Sequence, residues 1–369
     1  MTNILQILGG MAMFLFGVGM LGQGMEKLAG DRIQMWLDRV TNRPIKGALF
    51  GMAATALTQS SSLLMVTMIG LVNANLMTLA QAVGVMMGQE IGTTLTAQIV
   101  AFKVGDLCFL FIAAGFVLVE FGREDRWRKY GEVILGAGLL FLGMKLMPGA
   151  LAVLAAAPQV SGWLAVMGRN RFAGILAGTV ATAVVQSSSA ITGLLVAMGI
   201  SDAITLPGAV SILLGANIGT CVTGFIASSR LSRAARRASV AQILINVLGV
   251  LLLLPILSPF TALVDRTSNI LPRQIANAHT IFNVTVSVVL FPFVRQITKV
   301  AQWLVPESAS AEEPALTAYI DERLFGIPQV ALQEAYREFE RLGDATVEMV
   351  ERSCHTLLEP AILNMAFES

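Results

Sequence analysis

The chain has 369 residues, of which 55% are hydrophobic and only 13% are charged. A typical soluble domain carries about a quarter charged residues, so this composition excludes a soluble protein built around one core. The formal net charge of +1 gives no sign of a nucleic-acid partner. Stretches without Lys or Arg, at 4–25, 53–89 and 204–229, predict membrane-spanning helices, each of which needs about 20 apolar residues.

In chain order, Ile4–Met25 is the first apolar run, and we interpret it as a span because no charged segment of a signal peptide precedes it. A mixed-charge connection follows at Glu26–Lys46. A long apolar block then occupies Gly47–Ala101, and a short break at Lys103–Asp106 separates it from a further span at Leu107–Phe121. The first third of the chain is therefore almost entirely membrane-embedded in this interpretation.

The rest of the membrane region repeats this pattern, with apolar segments at 132–148, 172–229, 240–264 and 281–305. One basic segment precedes the first of them, and another separates the second from the third. Arg230–Arg237 holds four arginines and no acid, and Gly122–Tyr130 holds three arginines and one lysine. Basic loops mark the cytoplasmic side, so both segments are predicted there, the first more clearly.

The character of the chain changes after Pro306. A polar linker at Glu307–Pro314 precedes a segment rich in Glu and Arg at Tyr319–Ser369. Its apolar residues recur at helical spacing of three and four, at positions 332, 335, 339 and 342. We predict a soluble, amphipathic helical tail.

An internal repeat is the strongest signal in the sequence. Gln59 and Gln186 are 127 positions apart (186 − 59), and Gly92 and Gly219 are also 127 apart (219 − 92). The same register aligns further Gly, Thr and Ser residues, including Thr55 with Thr182 and the whole Gln-Ser-Ser-Ser motif at 59–62 with that at 186–189. Fixed-period similarity marks repeat architecture, and transporter repeats place their substrate site at the repeat interface. We favour inverted over parallel repeats.

The first Gln-Ser-Ser-Ser motif lies at the middle of the apolar segment Gly47–Val72, with about ten apolar residues on either side. One interpretation is a single helix with a polar face. The other is a re-entrant hairpin of two half-helices, each spanning about half a bilayer, with the serines at its tip. Three consecutive serines point in three directions on a helix and favour a turn or a helix N-terminus, so we prefer the hairpin.

Two such tips have a definite chemistry. Serine hydroxyls and the N–H groups of a helix N-terminus bind anionic oxygens without any Lys or Arg. Hydroxyls, amide oxygens and freed carbonyls also suit a small hard cation such as sodium, which would lower the cost of holding an oxyanion in the membrane. Isolated serines that merely join helices are the alternative, which the duplication disfavours.

A second duplicated motif runs from Gly88 to Thr94 and from Gly215 to Cys221. Its small residues permit close helix packing, and its Asn and Thr side chains offer oxygen ligands. Glu90 is an acid inside an apolar block, and ionisable residues in membrane segments are functional candidates; a protonated, locally hydrogen-bonded acid is the alternative. Lys145, near an expected span end at Pro148, is explained by snorkelling.

Paired Gln-Ser-Ser-Ser motifs, each followed by a Gly-x-x-Ile-Gly-Thr stretch, resemble the type II sodium–phosphate cotransporter family. The run Asn277–Asn283 resembles a later segment of that family, and the resemblance covers about Ile4–Val305. It implies sodium-coupled uptake of inorganic phosphate through inverted repeats with re-entrant hairpins. The tail resembles the start of a helical phosphate-uptake-regulator-like domain, and at Ser369 it is shorter than a complete copy.

The resemblance also implies roles for individual residues. The phosphate site would be lined by the serines of both motifs: Ser60, Ser61, Ser62, Ser187, Ser188 and Ser189. The sodium sites would be formed or supported by Gln59, Gln186, Thr55, Thr182, Asn217, Thr93 and Thr220. Glu90 stands where the family pattern has Asn, and its carboxylate would bind a cation more strongly or titrate and couple protons.

We therefore expect an all-α, multi-pass membrane protein of the bacterial inner membrane, with repeat 1 at 1–130, repeat 2 and a final span at 131–305, and a cytoplasmic tail at 306–369. It would be a secondary active transporter with sodium as coupling ion, lipid around it and no other cofactor; a homodimer is left open. Proton coupling through Glu90, another oxyanion, and a membrane phosphate sensor are the alternatives. An enzyme is not expected, since no nucleophile–base pair or metal cluster is recognised and Cys108, Cys221, Cys354, His279 and His355 are too scattered for one.

Overall fold

The computed structural model describes residues 2–29, 44–74, 76–102, 104–306, 319 and 328–357. Parts of the predicted connection at 26–46, of the break at 103–106 and of the linker and tail after Pro306 lie outside these residues. All regular structure within them is helical. The helices are α1 (Thr2–Ala29), α2 (Pro44–Thr58), α3 (Ser61–Asn73), α4 (Leu79–Val100), α5 (Leu107–Phe121), α6 (Asp125–Ala155), α7 (Pro158–Arg169), α8 (Arg171–Val185), α9 (Ser188–Ile200), α10 (Leu206–Ser228), α11 (Arg233–Leu253), α12 (Leu257–Asp265), α13 (Leu271–Leu290), α14 (Val294–Leu304) and α15 (Pro328–Leu357).

Five helical segments in the described part of the chain are long and apolar enough to cross a membrane: Thr2–Leu28, Asp125–Ala155, Leu206–Ser228, Arg233–Asp265 and Leu271–Leu304. The last two contain short 3₁₀ turns at Leu254–Ile256 and Phe291–Phe293. This confirms an all-α, multi-pass membrane protein. Helix α5, predicted as a span, has 15 residues and is about 22 Å long, shorter than a typical bilayer core.

Several predicted boundaries are corrected by the structure. The apolar set expected to end at Pro148 continues to Ala155, because Pro148 is accommodated inside the long helix α6. The last span begins at Leu271, ten residues before the predicted start, so the run Asn277–Asn283 is helical. The ammonium group of Lys145 binds Asp106 at the start of α5 and lies 4.7 Å from the ring centre of Phe109, and the snorkelling interpretation of Lys145 stays a prediction.

Each Gln-Ser-Ser-Ser motif connects two short helices, as the hairpin interpretation predicted. The first hairpin is α2 and α3, and the second is α8 and α9. Helices α8 and α9 begin and end 127 positions after α2 and α3, and α10 begins 127 positions after α4. The helix boundaries therefore follow the same register as the sequence repeat.

Glycines set how closely the helices of each repeat approach. A Cβ at Gly88 of α4 would lie 1.8 Å from the carbonyl oxygen of Ala48 in α2, and a Cβ at Gly215 of α10 would lie 1.9 Å from that of Ile175 in α8. Only a residue without a side chain fits at such contacts. In both repeats the contacting residues are 40 positions apart, so the two hairpins dock on α4 and α10 in the same way.

Helices α1 and α6 occupy corresponding places before the two hairpins and pack against each other. Gly10, Gly17 and Gly24 of α1 approach residues 147, 140 and 133 of α6 in turn. The contacting numbers rise along one helix while they fall along the other, so the two helices are antiparallel.

Residues 1–73 and 77–306 form one compact unit, and residues 74–76 with 307–369 form a second. The first unit contains both hairpins and a core around Phe14, Leu140, Met147 and Leu195. In the second unit, α15 confirms a helix in the tail. Its predicted apolar positions, Leu332 and Phe339 among them, are exposed.

Candidate functional site

The tips of the two hairpins have the same unusual backbone. Gln59 and Gln186 have φ angles of 55° and 56°, in the left-handed region that residues other than Gly, Asn and Asp rarely adopt. Each ends a half-helix, because its N–H donates to the carbonyl four residues earlier, on Thr55 or Thr182. The left-handed residue turns the chain, so that the next half-helix starts within two residues.

Ser60 and Ser187 occupy the N-caps of the second half-helices. The Ser187 hydroxyl accepts from the N–H of Ala190 at 3.2 Å and lies 3.0 Å from the Ser189 hydroxyl, while the Ser60 hydroxyl accepts from the N–H of Leu63 at 3.3 Å. The first N–H groups of an α-helix have no partner within the helix, and they carry the positive end of its dipole. Both tips therefore present backbone donors together with serine hydroxyls.

The two tips line one cavity of about 470 Å³. All six serines predicted for the phosphate site line it, as do Gln59, Gln186 and Thr93. Helix α1 closes one side: a Cβ at Gly22 would lie 2.4 Å from the Thr58 carbonyl oxygen, and the Phe14 ring packs against Gly193 of the second hairpin. The structure thus brings two motifs 127 residues apart into a single site.

Around each tip, a buried threonine packs against the second duplicated motif. Thr55 meets Gly92, where a Cβ would lie 2.9 Å from the threonine Cβ, and Thr182 meets Gly219 at 2.7 Å. Both threonines are fully buried, and within the described part of the chain neither Oγ1 atom has a hydrogen-bond partner. Buried hydroxyls are normally bonded, so a matched pair without partners marks two positions where a ligand could supply the missing contact.

The two tips differ in how their glutamines are held. Gln59 is only 8% exposed, its Oε1 accepts from the Thr96 hydroxyl at 2.5 Å, and its Nε2 donates to the Ala56 carbonyl. Gln186 is exposed. Among the described residues, the side chain of Gln59 therefore links the first tip to α4 by a hydrogen bond, and the side chain of Gln186 makes no such bond.

Glu90 does not line the cavity. It is buried, and its Oε1 accepts from the amides of Gln242 and Asn246 on α11, the latter at 3.2 Å. Asn246 also lies 3.3 Å from the sulfur of Cys221. In the described part of the chain, both of these partners of the Glu90 carboxyl are neutral amides.

The remaining residues predicted to bind the cation are Thr93, Thr220 and Asn217, and they differ in whether they line the cavity. Thr93 lines the cavity, and its hydroxyl donates to the Gln89 carbonyl at 2.9 Å. Thr220 is half-buried and donates to Ala216, and Asn217 is buried and donates to Leu213, each at 2.9 Å within α10. Neither Thr220 nor Asn217 is among the cavity-lining residues.

Three polar residues that line the cavity were not predicted as site residues: Gln23 and Glu26 of α1, and Thr58 at the end of α2. Gln23 and Glu26, in the last two turns of α1, line it together with the serines. Gln23 lies inside the first apolar run, Ile4–Met25, and Glu26 was assigned to the connection after it. Gln242 and Asn246 were also missed, because they lie in an apolar segment some 150 positions after Glu90. Polar residues inside apolar segments are the signal that could have found Gln23, Gln242 and Asn246.

Comparison with known proteins identifies the family. The family model described as Na+/Pi-cotransporter matches residues 13–149 and 151–262. Sodium-dependent phosphate transport protein 2B of Homo sapiens is 38% identical over 24% of this chain and 14% of its own length. No solved structure matches the chain.

Two bacterial relatives match over more of the chain. Uncharacterized protein YqeW of Bacillus subtilis is 30% identical over 79% of this chain and 95% of its own length. "Putative inorganic phosphate export protein YjbB" of Salmonella typhimurium is 25% identical over 95% of this chain, which spans about 65% of that relative. The duplicated hairpins, their serine tips and the family match agree: the chain belongs to the Na+/Pi-cotransporter family.

Proposed function

We propose that the protein is a secondary active transporter that moves inorganic phosphate across a membrane by coupling it to sodium. The observation that carries this is the convergence of two half-helix N-termini and six serines on one cavity. Backbone N–H groups and hydroxyls are donors suited to a tetrahedral oxyanion, and the helix dipoles favour its negative charge. The names of the relatives, a phosphate export protein and a sodium-dependent phosphate transport protein, agree with phosphate as the substrate.

Sodium is proposed for the positions around the tips. The unpartnered hydroxyls of Thr55 and Thr182, with the nearby side chains of Gln59, Gln186 and Thr93, supply neutral oxygen atoms, which a small hard cation prefers. Asn217 and Thr220 would support the second position from α10. None of the described residues that line the cavity is Lys, Arg or His, so a bound cation would be the nearest positive charge to the phosphate among them.

Alternating access follows from the arrangement of the repeats. Helices α1 and α6 precede corresponding hairpins and are antiparallel, which is the relation expected when two repeats have opposite orientation in the membrane. We infer that the two hairpins enter from opposite sides and meet at mid-depth. Rocking one repeat against the other would then expose the serine cavity first to one side and then to the other.

Sidedness is proposed from the basic segments. The N–H of Ser232, within Arg230–Arg237, donates to the Asn73 side chain at 3.1 Å, so the first hairpin returns to the side of this segment. Arg233 donates to the carbonyl of Pro306 at 3.1 Å, so the first unit also ends there. With basic loops inside, the tail begins in the cytoplasm of a bacterial inner membrane.

The direction we propose is uptake, because an inward sodium gradient would drive symport inward. Purified protein in proteoliposomes should accumulate radiolabelled phosphate when sodium is outside, and replacing sodium with choline should abolish accumulation. Ser60→Ala and Ser187→Ala should each reduce uptake, while Ser161→Ala, in α7 and away from the cavity, should not. Phosphate uptake that ignores sodium would refute the coupling, and flux only out of sodium-loaded vesicles would replace uptake by export.

A second candidate is proton coupling, favoured by the position of Glu90. A buried carboxyl among neutral amides is most stable when protonated, unless a cation joins it. Glu90→Asn, which restores the amide found at Asn217, should then remove the pH dependence of phosphate transport and leave flux at the optimum pH. An unchanged pH profile would exclude Glu90 as the proton carrier. Saturable phosphate binding without any flux would instead favour a membrane sensor.

A further inference from the structure

Helix α1 contributes the only charged side chain to the serine cavity, among the residues that the structure describes. Its last two turns bring Gln23 and Glu26 to the lining, beside the two Gln-Ser-Ser-Ser tips. Both side chains are exposed, so they border the open part of the cavity. The remaining lining residues are uncharged.

Among the described residues, Glu26 has no cationic partner. The neighbouring Lys27 binds elsewhere: its ammonium group lies 2.7 Å from both carboxylate oxygens of Glu132 on α6. No ion pair of Glu26 occurs within the described residues. Among the described residues, the cavity is therefore lined by one negative charge and by donors for an anion, and by no positive side chain.

This charge balance opposes the binding of phosphate alone. Phosphate carries at least one negative charge, and a carboxylate at the same cavity repels it. A cation bound between the carboxylate and the phosphate is attracted by both groups, and these two attractions offset the repulsion between them. The repulsion is reduced only when a cation occupies the cavity.

The feature is restricted to one repeat. The positions 127 residues after Gln23 and Glu26 are Ala150 and Val153 of α6, which are apolar. Glu26 adjoins Lys27 in the chain. The partner of Lys27 is Glu132 of α6, which comes shortly after the basic segment Gly122–Tyr130. The Glu26 carboxylate therefore borders the cavity on the same side of the protein as this basic segment.

We propose that Glu26, assisted by the Gln23 amide, recruits the cation that occupies the cavity together with phosphate. This rests on the proposed function and adds a residue outside the two duplicated motifs. In a water-filled cavity, one carboxylate a few ångströms from a monovalent cation changes its affinity by about fivefold. Glu26→Gln should therefore weaken the sodium response without removing the phosphate donors.

The first arm of the test contains no phosphate. Sodium chloride is titrated against purified protein at constant ionic strength with choline chloride, and the melting temperature is measured. Glu26→Gln should need about fivefold more sodium than the wild type for half of the stabilisation. Glu26→Asp, which keeps the charge, and Glu120→Gln, an exposed acid of α5 outside the cavity, should resemble the wild type.

The second arm measures phosphate affinity in sodium and in choline. The wild type should bind phosphate much better in sodium, and Glu26→Gln should show a smaller ratio, with better binding than the wild type in choline because the repulsion is gone. Equal sodium titrations for wild type and Glu26→Gln, no sodium response in the wild type, or an equal defect in Glu26→Asp would each overturn the inference. Absence of phosphate binding would refute the proposed function and leave the first arm to decide the role of Glu26.

Discussion

The close contact between the first hairpin and α4 leads to a quantitative prediction for Gly88→Ala. The added Cβ would lie 1.8 Å from the Ala48 carbonyl oxygen, and Cβ atoms essentially never approach other heavy atoms closer than 3.0 Å. The two helices must therefore separate by at least about 1.2 Å (3.0 − 1.8). A backbone carbonyl cannot rotate away as a flexible side chain can, so the full displacement reaches the hairpin.

Overpacking of this kind typically costs about 1–3 kcal/mol, and we expect the upper end of this range because both partners are backbone. A displacement of about 1 Å at a binding constellation can cost about 100-fold in rate. Gly88→Ala should thus lower the melting temperature and reduce phosphate uptake by about that factor. Gly215→Ala, whose Cβ would lie 1.9 Å from the Ile175 carbonyl, should behave in the same way.

Gly149→Ala is the matched control. Gly149 also lies inside a helix, α6, yet nothing is within 4 Å of its added Cβ, so this change tests helix propensity alone. It should raise stability slightly, since alanine is better than glycine in a helix by about 1 kcal/mol. Wild-type stability and uptake in Gly88→Ala would refute the argument that this contact positions the first tip.

Three further predictions concern the two hairpin tips and the ion pair between Asp106 and Lys145. Gln59→Ala should destabilise the protein by about 1–3 kcal/mol more than Gln186→Ala in thermal melts, because only the first glutamine is buried and hydrogen-bonded to α4; equal losses would contradict this. Ser187→Ala should cost about 1 kcal/mol of stability through its N-cap, and Ser187→Asn should recover that loss but not transport. The hydrogen bond from Lys145 and its charge lower the pKa of Asp106 below 3.8, so its stabilisation is present above that pH and is lost as pH falls through the lowered value; Asp106→Asn should reduce the acid-side slope of stability against pH, and an unchanged slope would count against the pair.

The hairpins and their serine tips were predictable because the signal is local and duplicated. Three consecutive serines cannot share one helix face, and the 127-residue register predicted that both motifs adopt the same structure. The left-handed backbone at Gln59 and Gln186 was not predictable in this way. Glutamine has no preference for that conformation, and closure of the hairpin rather than the residue type accounts for it.

Contacts between distant segments were also beyond the sequence. Glu90 was recognised as unusual, but its partners Gln242 and Asn246 depend on α11 packing against α4. The partner of Lys145 was not predicted, because Asp106, 39 positions earlier, comes next to it only when α5 folds back on α6. Glu26 was missed because its charge placed it in a connection, whereas the helix continues beyond it to Ala29.

Helix α1 touches both hairpins, at Gly22 against the first tip and at Phe14 against Gly193 of the second. These two contacts are eight residues apart along one continuous helix, or about 12 Å. Because the helix is continuous between these two contacts, a tilt that moves one of them away from its hairpin pushes the other contact towards its own hairpin. We therefore expect that α1 cannot move away from both hairpins at the same time. The cavity would then not open to both sides of the membrane at once.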